Sequence, residues 1–123
     1  MKPSEPENKV CDLKYLHEMM GGKKLLIKEI LDAFLEQIPG ELKSINDAIG
    51  SVDYPIIKSI AHTMRSSVSI MGVAALTPIL QEMEDLGGAS KDIERINQLN
   101  ERLIVICKQA VQEIEKEQIH YAA

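Results

Sequence analysis

Residues 54–72, Tyr54-Pro55-Ile56-Ile57-Lys58-Ser59-Ile60-Ala61-His62-Thr63-Met64-Arg65-Ser66-Ser67-Val68-Ser69-Ile70-Met71-Gly72, read as one amphipathic helix, and that reading decides the fold class. At ~100° per residue, Ile57, Ile60, Met64, Val68 and Met71 gather on one side. Asp53 stands where an N-cap belongs, and Pro55 falls in the first turn, where its missing donor would be unpaired anyway. The helix is predicted over about 54–71, with Gly72 as its stop. A stripe of this width needs other helices to cover it.

The flanking sequence supplies them. Upstream, Asp12 can cap a short helix over about 12–20 with Leu13, Leu16 and Met20 as its apolar positions, and Gly21-Gly22 end it. A second helix starts near Lys23 with Ile27, Ile30, Leu31, Phe34 and Ile38 on one side. The stripe resumes in phase after Pro39-Gly40 with Leu42, Ile45 and Ile49, which argues for one bent rod closed by Gly50. Downstream, Leu76, Ile79 or Leu80, and Met83 mark a helix ending at Gly87-Gly88; Pro78 is acceptable only in its first turn, so it starts no earlier than about Ala74. Ser90 is the expected cap of the last helix. There Ile93, Ile96, Asn100, Leu103, Cys107, Ala110 and Ile114 alternate three and four apart, as in helices packed at a shallow angle.

Four long helices, short links and no strand signal predict an all-α chain: an antiparallel up-down four-helix bundle with a short additional N-terminal helix. At 123 residues it forms one domain, able to bury roughly 60–70% of its unfolded surface. Residues 1–8 read as a flexible tail or linker remnant, 9–119 as the bundle and 120–123 as a frayed C-terminus. With one Phe, three Tyr and no Trp, the core must be aliphatic and methionine-rich.

Composition also narrows function. A formal charge of −5 with acids interleaved throughout disfavours nucleic acid. No apolar run suggests a signal peptide or a membrane span, so the expected location is cytoplasmic, without membrane contact by this domain. Cys11 and Cys107 lack the spacing of a zinc site or a redox dithiol and are expected as reduced thiols, Cys107 in the core and Cys11 near a helix start.

His62 points away from the apolar stripe. Its own face carries Lys58, Ser59, Ser66 and Ser69, with Arg65 at the edge. From periodicity alone this could be an idle surface histidine, but Glu, Lys or Gln would favour an exposed helix face more than three serines do. A face kept short invites a flat partner close. A neutral imidazole is a nucleophile when one nitrogen is held as N–H, and Glu82, Glu84 and Asp85 on the next helix could each do the holding. Arg65 could partly neutralise a phosphoryl group on the ring.

The segment Ala61-His62-Thr63-Met64-Arg65-Ser66-Ser67, followed by Gly72, resembles the motif of the histidine-containing phosphotransfer (HPt) domain, Ala-His-Thr-Leu-Lys-Gly-Ser with a glycine ten residues after the histidine. Asp12-Leu13-Lys14-Tyr15-Leu16, Gly21-Gly22 and Ile30-Leu31-Asp32-Ala33-Phe34-Leu35 are similar to its lead-in helices. The resemblance implies that His62 is the phospho-acceptor, taking a phosphoryl group from an aspartyl phosphate on one receiver domain and passing it to another. It selects Glu84, twenty-two residues on, as the group orienting the imidazole. It implies a carrier, not an enzyme, without cofactor or metal of its own, Mg²⁺ being expected on the receiver.

The docking surface is then expected around Lys58, Ser59, Arg65, Ser66 and Ser69, with Ile56 or Val73 as apolar edges. Partners would be response-regulator receivers, and a sensor kinase in the same chain if the domain ends a hybrid kinase. Two departures stand out: Arg65 replaces the usual lysine, and Ser66 the usual glycine one turn from the histidine. The alternative from another class is a helical adaptor that binds a receiver or kinase and carries no phosphate. A di-iron bundle is rejected, because Glu117 to His120 is the single Glu-x-x-His pair and lies at the chain end. His17 is expected as a plain surface histidine.

Overall fold

The structure, a computed structural model, describes residues 9–121; the expected tail over 1–8 and the last two residues of the expected frayed end lie outside the described residues. Among the described residues five helices follow in order: α1 Lys14–Met19, α2 Lys24–Gly50, α3 Tyr54–Ile70, α4 Leu76–Ala89 and α5 Ile93–Ile119. No strand occurs among the described residues. The packed pairs are α2 with α3, α3 with α4, α4 with α5 and α5 with α2. Links of a few residues reverse the chain each time, so sequential neighbours close into an antiparallel up-down bundle.

The predicted stripes are its core. Ile57, Met64 and Val68 are fully buried from α3, and Leu31, Ile45, Leu80, Met83, Leu103 and Ile114 join them from the other helices. Both alternatives on α4, Ile79 and Leu80, face inward. α2 runs unbroken through Pro39. Proline there removes the bond to the Leu35 carbonyl and disfavours the helix by about 3 kcal/mol relative to alanine; buried Ile38 on one side and Ile45 and Ile49 on the other hold the rod together.

α1 closes one end of the bundle with Leu16, which is fully buried. The segment ahead of it is tied down at two points. Glu113 on α5 accepts from the backbone N–H groups of Val10 at 2.8 Å and Cys11 at 2.9 Å, and Asp12 N–H donates to the Gly72 carbonyl at 3.1 Å. Gly72 has φ +67°, and a side chain there would strike the Asp12 carbonyl. The glycine is thus required both by its backbone conformation and by the segment crossing over it at Asp12.

Local signals are read differently at three helix ends. α5 is capped by Asp92, whose carboxylate accepts from Arg95 N–H at 3.2 Å, and not by Ser90, which takes the left-handed conformation that ends α4. Both residues have side chains suited to capping, and the backbone turn chose the second. Gly87 and Gly88 lie inside α4, which continues to Ala89. Asp12 does not cap α1 formally, because Leu13 occupies that position, but its carboxylate accepts from Lys14 N–H at 3.1 Å. Asp53 caps α3 as predicted, accepting from Ile56 N–H, and Pro78 lies in the first turn of α4.

His17 is a further correction. It is half-buried, and its Nε2 lies 2.6 Å from the Tyr121 hydroxyl, joining α1 to the far end of α5. The two residues are 104 apart in sequence, so no local pattern announces the pair. Cys107 is buried and Cys11 half-buried, both as free thiols; burial, the largest cause for each, pushes both up to about 12.

Candidate functional site

α3 and α4 run antiparallel, so moving four residues forward from Lys58 to His62 matches moving three back from Gly87 to Glu84. This register sets His62 beside Glu84. His62 Nδ1 lies 2.9 Å from Glu84 Oε2. The imidazole side chain is 63% exposed while the carboxylate is 15% exposed, so the ring stands in solvent on a carboxylate sunk between two helices. The other two candidates are engaged elsewhere: Glu82 accepts from Arg95 at 2.7 and 3.0 Å, and Asp85 accepts from Gln81 at 3.0 Å.

Arg65 completes the cluster in a way the sequence did not announce. Its Nη2 is 3.0 Å from Glu84 Oε1, an ion pair whose approach lies off the axis of a good hydrogen bond, since Oε1 and Arg65 Nε both remain without one. The guanidinium is drawn back onto the carboxylate instead of extending over the ring. Nη2 also lies 3.3 Å from His62 Nδ1.

Charge fixes the tautomer. Burial alone would raise the Glu84 carboxyl, but the His62 hydrogen bond and the Arg65 charge together outweigh it and hold the group below its usual 4.5. An ionised carboxylate can only accept, so the 2.9 Å contact requires the proton on Nδ1. Arg65 and Nδ1 are then two donors sharing one anion. The lone pair is left on Nε2, which no described group bonds, on a ring that is largely exposed.

The expected docking residues divide. Lys58, Ser59, Ser66 and Ser69 are exposed around His62. Ser69 Oγ donates to the Arg65 carbonyl at 2.8 Å and Thr63 Oγ1 to the Ser59 carbonyl at 3.1 Å, so these hydroxyls fold onto their own helix and leave the face smooth. Ile56 is 46% exposed, whereas Val73 is fully buried and cannot be an edge of that face. Val73 turns inward because Gly72 reverses the chain just before it. Among the described residues no three His, Cys, Asp or Glu side chains are grouped as a metal would require, and no helix is long and apolar enough to cross a membrane.

The model of the family described as "Hpt domain" matches residues 29–117, well over half of the chain. The chain belongs to the Hpt domain family. As an Hpt domain it is a phosphotransfer intermediate of two-component signalling, a carrier module and not a catalytic enzyme, from a family that works with response-regulator receiver domains. Its fold is similar to that in the crystal structure of histidine-containing phosphotransfer protein B from Pseudomonas aeruginosa PAO1, with a TM-score of 0.84 and 20% identity, covering 96% of this chain and 99% of that one. At that identity the likeness speaks for the fold alone. No curated protein matches the chain in sequence.

Proposed function

We propose that His62 is the phospho-acceptor of this Hpt domain and that its Nε2 exchanges a phosphoryl group with receiver aspartates. The observation that carries this is the Nδ1···Glu84 Oε2 contact at 2.9 Å beneath an imidazole 63% exposed. It supports a ring oriented from below with its lone pair turned to a partner.

In the forward step the Nε2 lone pair attacks the phosphorus of a receiver aspartyl phosphate. The N–P bond forms as the P–O bond to the aspartyl group breaks, and the carboxylate leaves with that electron pair. The ring becomes cationic, and Glu84, hydrogen-bonded to the Nδ1 proton, stabilises that charge; the reverse step returns it. Mg²⁺ and the acidic pocket belong to the receiver, and the bundle contributes a positioned nucleophile. Arg65 can turn part of its charge toward the phosphoryl oxygens, while Ser66, with Lys58, Ser59 and Ser69, forms the face on which the receiver lands. The setting that fits this chemistry is cytoplasmic, as a free-standing carrier or as the terminal domain of a hybrid sensor kinase.

The test is label transfer from a phosphorylated receiver. Wild type should gain label on histidine and His62→Ala none. If both gain equally little across a panel of receivers from the same genome, the carrier reading falls and the domain is an adaptor that binds its partner without carrying phosphate.

A further inference from the structure

Gly87 on α4 faces the backbone of α3 at close range. A methyl group at this position would stand 3.0 Å from Lys58 N, 3.1 Å from the Tyr54 carbonyl oxygen and 3.2 Å from Lys58 Cα. All three are backbone atoms of α3, and none can swing away as a side-chain end could. Its neighbour Gly88 differs: a methyl there would meet only the flexible Lys58 side chain, at 3.6 Å or more. Gly40 and Gly50 would meet nothing within 4 Å. Of these helical glycines, Gly87 alone is occupied by a neighbouring backbone where a side chain would go.

This contact lies one turn from the His62–Glu84 pair on both helices. Glu84 is three residues before Gly87, and His62 four residues after Lys58. The spacing of the two rods at Gly87 therefore sets how far the Glu84 carboxylate must reach to meet Nδ1.

We infer that Gly87 is a positioning residue of the phosphotransfer site: its missing side chain lets α3 and α4 approach closely enough for Glu84 to hold His62 in the Nδ1–H tautomer. The inference rests on the roles proposed above for His62 and Glu84. A Cβ at this position forces the helices apart or along one another by a few tenths of an ångström, because packed backbones yield only as whole elements. A hydrogen bond of 2.9 Å lengthened by that amount moves to the long end of the usual range, which weakens its hold on the tautomer.

The experiment compares Gly87→Ala with Gly88→Ala. Both variants add one methyl group to the same turn of α4, but only the first meets backbone. The readout is the pair of imidazole ¹⁵N shifts of His62 in the neutral form, which report the protonated nitrogen directly, together with the rate of label transfer from a phospho-receiver. Wild type and Gly88→Ala should show Nδ1–H. Gly87→Ala should show a mixture with Nε2–H and transfer more slowly by about tenfold, the scale expected of a sub-ångström misplacement.

If Gly87→Ala keeps the Nδ1–H shifts of wild type, the inference is overturned whatever happens to transfer. If wild type accepts no phosphate, the carrier reading falls, yet the shifts still decide whether Gly87 places Glu84. Should Gly87→Ala be only partly folded, an excluded osmolyte restores the folded population, and its separate signals are read in the same way.

Discussion

At the scale of single residues, the central arrangement is one carboxylate shared by two donors on the next helix. Glu84→Ala should slow phosphotransfer by about 10²-fold, the low end of what positioned proton-bearing groups contribute, and leave the bundle folded. Unchanged kinetics would remove Glu84 from the site. The depressed Glu84 carboxyl also gives a sign for pH. Its folded value lies below the usual 4.5, so the stability it contributes is fully present above that value and is lost as pH falls through the lower folded one. A ¹³C titration of the carboxyl should find its midpoint below 4.5, and a midpoint at or above 4.5 would contradict the ion pair with Arg65. Ser66→Gly tests the departure from the family motif. The hydroxymethyl is exposed beside His62, and its removal should leave transfer the same or faster, while glycine in a helix interior lowers stability by about 0.5 kcal/mol.

At the scale of elements, the joints are more informative than the rods. Glu113 takes two backbone N–H groups from the segment ahead of α1, and Glu113→Ala should cost about 1–2 kcal/mol, with amide exchange at Val10 and Cys11 rising first. Slow exchange at both amides in the variant would show that the segment is held by something else. Legibility follows the same division. The α3 start is readable because Pro55 follows Asp53 by two residues, which puts it in the first turn, whereas a helix started from Ser51 would have the proline one turn in. The α4–α5 link is not, because Ser90 and Asp92 both suit a cap and only the path of the chain decides between them. Gly87 reads as a stop from sequence, since nothing local says that another backbone occupies its Cβ position. Glu84 is one of three acids within four residues of one helix that the sequence leaves open; the family resemblance singles it out, and the fold shows Glu82 and Asp85 paired with other groups. The Arg65–Glu84 pair and the His17–Tyr121 contact depend on how helices are set against each other, which periodicity does not carry.

At the scale of the whole molecule, the helices are of two lengths. α2 and α5 have 27 residues each, against 17 for α3 and 14 for α4, so the long pair projects by roughly 15 Å at 1.5 Å per residue. The contacts of the long pair's end gather there: α1 with Leu16 in the core, Gln118 donating to Asp32 at 2.5 Å, and Tyr121 against His17. His62, the proposed acceptor, is on the shorter pair, away from that clasp and on a regular helix. For a carrier this dictates kinetic order. Two receivers cannot occupy one nitrogen together, so donor and acceptor must alternate at the same face. Initial rates measured against one receiver at several fixed levels of the other should give parallel double-reciprocal lines. Intersecting lines would mean that both partners bind at once, which exchange through His62 alone does not allow.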